Sequence, residues 1–352
     1  MKREQQRYGI SGILIVLLLI PCLVLAGDKP YERVVVFGDS LSDPGNAFFL
    51  SGISLKPPYS TLDELLIPDA PYARGGNHFS NGPTWIERLA KKLDVGGSAK
   101  PAFKGKNGKK LKMTNYAVGG ARARDNGIDI NLNTQLSAFL SDSQGVASMD
   151  ALYVIALGGN DVRDAVAALS VDPTGQASND ILQDALIALS DSIIALHGAG
   201  ATKLLIVNAP DLSLTPAIQR LDSLFPGTAL GAAVVSLQFN LNLAALLDDL
   251  SLVFPALEIA QLNVFQMLHE IVDDPDAFGL NNVMDACVMP DLPPFACKKP
   301  KHYLFWDGIH PTRATHRIFA REAAEVLNLG EDEDRDSFED QDGKEREMRG
   351  RK

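Results

Sequence analysis

The sequence has few cysteines, few aromatic residues and no excess of positive charge. Only 3 of its 352 residues are cysteine, which excludes a small scaffold held together by many disulfides. Lysine and arginine number 33 against 44 acidic residues, and the net charge of −11 argues against a nucleic-acid partner, because phosphate binding requires a basic face. Hydrophobic residues make up 46% of the chain, enough for a large globular core.

The N-terminus has the pattern of a secretory signal. Basic residues precede an apolar run over residues 13–25, and Val24 and Ala26 fit a cleavage site after Ala26. We therefore predict a signal peptide over residues 1–26, a secreted or periplasmic protein, and no stable membrane span after signal removal. Two alternatives stay open: an uncleaved anchor, and a lipoprotein attached at Cys22, although a proline directly before that cysteine departs from the lipobox pattern.

The C-terminal residues 331–352 are almost all polar, with ten acidic and six basic side chains. Such a segment cannot bury enough apolar surface to order itself, so we predict a charged, disordered tail. Residues 27–330 then form a single domain.

Removal of the signal would leave two cysteines, Cys287 and Cys297. In an oxidising compartment such a pair usually closes, so we predict a disulfide between them. A zinc site is the alternative, but two thiols without Cys-x-x-Cys spacing make a weak zinc signature.

Short apolar strands alternate with amphipathic helical patterns along the domain. The strands are predicted over residues 33–37, 151–157, 203–207 and 257–262, each followed by glycine or asparagine. Apolar residues spaced three and four apart predict helices over 181–196, ending at Gly198, and over 239–250, with another over 312–327. This alternation indicates a parallel sheet covered by helices on both faces.

Polar clusters follow the strands, where ligands bind in open α/β sheets. Ser40 stands directly after the first strand, preceded by Gly38 and Asp39. A serine nucleophile needs a base, and the base needs an orienting carboxylate. Asp307 and His310 are three residues apart just before the last helix, so one loop could supply both.

A serine nucleophile also needs donors for the negative charge that develops on the substrate oxygen. Asn160 follows the strand over 151–157 and could present its side-chain amide. The glycines at 119 and 120 could offer a backbone N–H where glycine allows close approach.

Taken together and in this order, these clusters resemble the GDSL family of SGNH-fold hydrolases over roughly residues 33–328. The matching blocks are Gly38-Asp39-Ser40-Leu41-Ser42-Asp43, Asn115-Tyr116-Ala117-Val118-Gly119-Gly120-Ala121, Gly158-Gly159-Asn160-Asp161 and Asp307-Gly308-Ile309-His310-Pro311. Secondary matches are Phe79-Ser80-Asn81-Gly82-Pro83 and Tyr303-Leu304-Phe305-Trp306.

The resemblance implies a three-layer α/β/α fold with a flavodoxin-like parallel sheet and an esterase or lipase acting on a small-molecule or lipid ester, with no metal or organic cofactor. It implies Ser40 as nucleophile, His310 as base and Asp307 as the residue that orients it. It further implies an oxyanion hole made by the N–H groups of Ser40 and Gly120 and the side chain of Asn160.

Other functions stay open. The same triad would serve a phospholipase, an acyltransferase or a carbohydrate O-deacetylase, and a catalytically silent binding protein on this fold is a further alternative. The sequence does not give the acyl length or the alcohol, and we expect substrate choice to lie in loops over residues 44–80, 94–112 and 209–230. Residues 48–50 are interpreted either as the lining of an acyl pocket or as core.

Acidic residues beside the matching blocks are interpreted as structural. Asp39 and Asp43 could be metal ligands, but we interpret them as a turn residue and a helix cap. We expect Asp161 to brace the loop of Asn160, and Trp306 to pack beneath the loop that carries Asp307.

Overall fold

The computed structural model describes residues 30–105 and 111–329. The predicted signal peptide and charged tail lie outside the described residues. The strands are β1 (Arg33–Gly38), β2 (Ala151–Ala156), β3 (Lys203–Val207), β4 (Glu258–Leu262), β5 (Asn282–Ala286) and β6 (Tyr303–Phe305). The α-helices are α1 (Asn46–Ser51), α2 (Trp85–Lys92), α3 (Leu132–Asp142), α4 (Gly159–Ala168), α5 (Gln176–Ala199), α6 (Pro216–Leu224), α7 (Thr228–Val253), α8 (Val264–Asp273) and α9 (Arg313–Val326).

The main sheet is parallel, with β1, β2, β3 and β4 side by side. A further segment runs along the free edge of β1: Asn115 bridges Val36, and the Tyr116 N–H donates to the Val36 carbonyl at 2.8 Å. The segment at Asn115, which follows β1 in the chain, therefore lies at the outer edge of the sheet beside β1. With it, the strand order is that of flavodoxin-like sheets, as the resemblance implies.

Helices cover both faces of this sheet because its strands are apolar on both sides. Val35 and Phe37 of β1 face a core shared with α3, α4, α5 and α7, whereas Val34 and Val36 face a core shared with α2, α8 and α9. The predicted three-layer α/β/α class is confirmed.

A small third core lies apart from the sheet, and we call it the satellite cluster. Its buried members are Tyr59, Tyr72, Cys287, Val288 and Trp306. It lies beside the short β5–β6 pair, and it contains the predicted disulfide between Cys287 and Cys297.

Two local predictions were wrong. Gly198 lies inside α5, and the helix ends at Gly200, whose φ of 116° is the left-handed conformation that suits a C-cap. Residues 209–230 are not a loop but contain α6, which begins at Pro216 with the Thr215 side chain accepting from the Ile218 N–H. Of residues 94–112, the structure describes 94–105 and 111–112, and Ala99 and Ala102 are buried there.

Two helices, α5 and α7, are long and apolar enough to cross a membrane by length and composition alone. Each packs one side against the sheet in the core shared with α3 and α4. Core helices of soluble proteins often have this composition, so the absence of a membrane span stays a prediction.

Candidate active site

Polar residues from separate parts of the chain meet beyond the carboxyl ends of the strands. Ser40 follows β1 and Asn160 follows β2, and these two strands are paired neighbours in the sheet. His310 arrives from the loop before α9. The structure thus brings together the nucleophile, base and amide donor that the resemblance implies.

Ser40, His310 and Asp307 form one hydrogen-bonded row. The Ser40 Oγ lies 2.8 Å from the His310 Nε2, and the His310 Nδ1 lies 2.9 Å from the Asp307 Oδ2. All three residues are buried, Asp307 completely. The nucleophile–base and base–orienter contacts of a Ser-His-Asp triad are therefore both present.

The Asp307 carboxylate accepts several hydrogen bonds besides that of His310. The backbone N–H groups of Ile309 and His310 donate to its Oδ1 at 3.0 and 2.8 Å. The Tyr72 hydroxyl donates to its Oδ2 at 2.9 Å. These donors fix the carboxylate plane, and through it the orientation of the imidazole ring.

Tyr72 is the main site residue that the sequence analysis missed. Its ring makes edge contacts with Tyr59 and Trp306 in the satellite cluster, so packing aims its hydroxyl at Asp307. Burial and the neighbouring Asp307 carboxylate both raise the pKa of the Tyr72 hydroxyl, which keeps it protonated as a donor. As expected, Trp306 packs beneath the loop.

Neighbouring segments also contact the backbone of the loop that carries Asp307 and His310. A Cβ at Gly308 would stand 1.8 Å from the Leu65 carbonyl oxygen, so only glycine fits there. On the other side, the Ser80 hydroxyl donates to the Pro311 carbonyl at 2.8 Å, and the Phe79 ring lies 5.4 Å from the His310 ring.

Of the predicted oxyanion donors, Asn160 lines the same cavity as Ser40 and His310. One hydrogen of the Asn160 amide donates to the Ala121 carbonyl at 2.9 Å, which orients the group and leaves its second hydrogen for a ligand. The Gly119 N–H donates to Asp43, whereas within the described part of the chain the Gly120 N–H has no acceptor. Gly120 has a φ of 83°, a conformation that favours glycine.

Asp43 joins the nucleophile block to the glycine block. Its carboxylate accepts from the N–H groups of Gly45, Asn46 and Ala47 at the start of α1 and from Gly119 at 2.9 Å. The expected helix-capping role is confirmed, and the same carboxylate positions the chain beside Gly120.

Asp39 and Asp161 are buried beside the site. Asp39 accepts from the Leu41 N–H, as expected for a turn residue, and burial raises its pKa to about 6. Asp161 braces a different loop from the one expected: its carboxylate accepts from the Ala123 and Arg124 N–H groups. Burial raises the pKa of Asp161 to about 6 as well.

A cavity of about 830 Å³ opens beside Ser40 and His310. That volume lies in the range of small-molecule sites. Its walls are α4 on one side and α6 with the start of α7 on the other, so residues 209–230 do contribute, as expected. Residues 48–50 do not line it, and the Phe48 and Phe49 rings contact each other instead.

A parallel α/β sheet with a Ser-His-Asp row at its carboxyl edge defines a serine-hydrolase class of site. The profile of the GDSL-like lipase/acylhydrolase family matches residues 34–323. The chain therefore belongs to that family, whose members are carboxylic ester hydrolases.

Several Arabidopsis thaliana proteins named GDSL esterase/lipase are similar along nearly their whole length. One relative is 24% identical, and the alignment covers 89% of this chain and 95% of the relative. Another is 26% identical, and the alignment covers 91% of this chain and 94% of that relative. Among solved structures, a protein described as a GDSL-like lipase from Parabacteroides merdae has a TM-score of 0.41 at 13% identity, covering 85% of this chain and 97% of its own. An acetylxylan esterase from Geobacillus stearothermophilus has a TM-score of 0.39 at 13% identity, covering 85% and 95%.

Proposed function

We propose that this protein is a secreted serine ester hydrolase that cleaves carboxylic esters through an acyl-enzyme on Ser40. The observation that carries the proposal is the continuous row from the Ser40 Oγ through the His310 ring to the Asp307 carboxylate, with contacts of 2.8 and 2.9 Å.

In the first half of the reaction the Ser40 Oγ attacks the ester carbonyl carbon while the His310 Nε2 takes the hydroxyl proton. Asp307 stabilises the resulting imidazolium through Nδ1. Negative charge on the carbonyl oxygen is met by the Ser40 and Gly120 N–H groups and the Asn160 amide. His310 then gives its proton to the departing alkoxide, which leaves as the alcohol.

In the second half, water attacks the acyl-Ser40 ester. His310 accepts a proton from that water and returns it to the Ser40 oxygen as the acid departs. The same donors stabilise the second tetrahedral intermediate. The products are one acid and one alcohol, and Ser40 is restored.

Secretion rests on two features. The N-terminal segment has the signal-peptide pattern, and the Cys287–Cys297 pair forms a disulfide in the structure. Disulfides persist in oxidising compartments, which agrees with a secreted or periplasmic protein. Fractionation of cells expressing the full chain tests this, and cytoplasmic retention would contradict it.

The catalytic assignment is tested with Ser40→Ala and a chromogenic butyrate ester. We expect kcat to fall by about 10⁴-fold or more, because the nucleophile is lost, while the melting temperature is retained. Ser51→Ala, which removes an exposed hydroxyl from α1, is the matched control and should keep full activity. Unchanged turnover in Ser40→Ala would rule out the mechanism.

The alternative activities differ in their products. A hydrolase releases free acid even when an excess of acceptor alcohol is present, whereas an acyltransferase forms a new ester. The predominantly apolar cavity favours an acyl ester over an acetylated sugar, which would need more polar partners. Product analysis on an acylglycerol, a phospholipid and an acetylated glycan separates these functions.

A further inference from the structure

The cavity beside Ser40 is elongated, and membership of the family does not specify which part of an ester it binds. Asn160 lines it at the start of α4, and Val166 and Leu169 line it towards the end of that helix. Because a helix rises 1.5 Å per residue, the wall from Asn160 to Leu169 is about 13 Å long. The cavity is therefore a channel that leads away from the nucleophile along α4.

The channel is polar at one end and apolar at the other. Asp39 and Arg163 line the end near Ser40, together with Asp164, which is bound by Arg122 at 2.8 Å. The remaining length is lined by apolar side chains of α4, α6 and the segment before α6: Val166, Leu169, Leu212, Ile218 and Leu221. Such a surface gains free energy by covering hydrocarbon.

The position of His310 indicates which half of an ester enters this channel. His310 lines the mouth of the cavity beside Ser40, and the wall along α4 leads from that mouth towards Leu169. His310 must protonate the leaving alcohol, so the alcohol lies on its side of Ser40. The acyl chain is then directed towards α4.

We propose that the channel along α4 binds the hydrocarbon chain of the acid, and that the enzyme selects esters of acids of about ten carbons over those of short acids. An extended chain advances roughly 1.25 Å per carbon with C–C bonds of about 1.5 Å, so about ten carbons match the whole wall from Asn160 to Leu169. This inference rests on the proposed ester hydrolysis at Ser40.

The far end of the channel is open. Phe225 lines it and is 66% exposed, and Ser170 is exposed beside it. A longer chain would project into solvent there and gain little further contact. Activity should therefore rise with chain length by at most about fourfold per buried methylene, and then level off near ten carbons without a sharp cutoff.

Two isomeric esters test the direction of binding. Ethyl decanoate and decyl acetate have the same atoms, but the long chain is the acid in one and the alcohol in the other. We expect kcat/KM in a pH-stat assay to be at least tenfold higher for ethyl decanoate. Equal rates, or a preference for decyl acetate, would overturn the proposal.

Gly231 offers a way to block the channel. A Cβ built there meets only the Leu169 side chain within 4 Å, at 3.5 Å, so a side chain at this position points across the far end. In Gly231→Phe the ratio of kcat/KM for the decanoate to that for the butyrate should fall at least tenfold. Leu241→Phe adds the same ring to a position of α7 that is 62% exposed, and should leave the ratio unchanged.

An unchanged ratio of kcat/KM for the decanoate to that for the butyrate in Gly231→Phe would overturn the proposal. Equal losses of kcat/KM at all chain lengths would overturn it as well. Binding of a fluorescent ten-carbon fatty acid to Ser40→Ala tests the channel without catalysis. If the wild type hydrolysed no ester, the proposed function would fail. The channel would then be judged by this binding alone: loss of binding in the Ser40→Ala/Gly231→Phe double variant would support it, and no binding to Ser40→Ala would refute it.

Discussion

Ser40 and His310 lie 2.8 Å apart but belong to two differently built regions. The nucleophile side follows β1, whose core residues are completely buried, and its turn is held by nearby backbone amides and by Asp43. The acid–base side is a loop outside the sheet. It depends on Tyr72, which is 235 residues away in sequence from Asp307, and on the satellite cluster with its disulfide.

The two regions supply different catalytic groups and are held in place by different parts of the fold. The sheet edge supplies the nucleophile and one oxyanion donor because neighbouring parallel strands end together, and the Gln135 side chain holds the end of β1 through both backbone groups of Gly38. The base must be brought to that edge by a loop, and its geometry depends on contacts between distant segments. Changes to the satellite cluster should therefore weaken the base without moving the oxyanion donors.

The largest effect is expected for the orienting carboxylate. Asp307→Asn should lower kcat by about 10⁴-fold, because the amide can hold the imidazole in the wrong tautomer and cannot stabilise its positive charge. Steady-state kinetics on a butyrate ester measure this. Asp291→Asn, an exposed position in the disulfide loop, is the matched control. Retention of a tenth of the activity in Asp307→Asn would show that the row is not a working triad.

On the nucleophile side, Asn160→Ala should lower kcat by about 10²–10³-fold with little change in KM, since one oxyanion donor is lost and the triad stays intact. Asn208→Ala is the control, because Asn208 follows β3 and bonds Asn263 outside the cavity. A rise in KM at constant kcat would instead make Asn160 a substrate-binding residue.

The satellite cluster should depend on its disulfide. Replacing Cys287 and Cys297 together by serine should cost about 3 kcal/mol on the loop-entropy account, which lowers the melting temperature by several degrees. Calorimetry with and without reductant measures this. Reductant should lower the melting temperature of the wild type and leave the double variant unchanged, and an insensitive wild type would contradict the role given to the disulfide.

The smallest effect is expected for Tyr72→Phe. It removes one hydrogen bond to a charged carboxylate and keeps the ring packing, so kcat should fall about tenfold with KM unchanged. Tyr59→Phe is the matched control, because its ring packs against Tyr72 without a hydrogen bond to Asp307. Equal losses in the two variants would mean that packing alone orients the loop.

Much of the site could be predicted because its parts are local in sequence. Ser40 and Asn160 directly follow apolar strands, and Asp307 and His310 share one short loop, so each signal fits in a few residues. The disulfide pairing followed from the predicted signal peptide, which removes Cys22 and implies an oxidising compartment for the remaining pair.

The features that the sequence did not predict depend on packing between segments that are distant in sequence. Nothing near Tyr72 in sequence indicates that its hydroxyl meets Asp307. The sequence analysis placed residues 209–230 in a loop, whereas α6 begins there at Pro216, a residue well suited to the first position of a helix. The channel along α4 depends on how α6 and α7 pack, so the sequence could not decide whether residues 48–50 line an acyl pocket, and the structure places them outside the cavity.

The central claim is that Ser40 is a nucleophile activated by His310. The most direct measurement is reaction with a fluorophosphonate probe, followed by peptide mass spectrometry of the labelled protein. The account predicts a single adduct on Ser40 in the wild type, and its loss when His310 is replaced by alanine. An adduct on another serine, or an unlabelled Ser40 in folded wild-type protein, would contradict it.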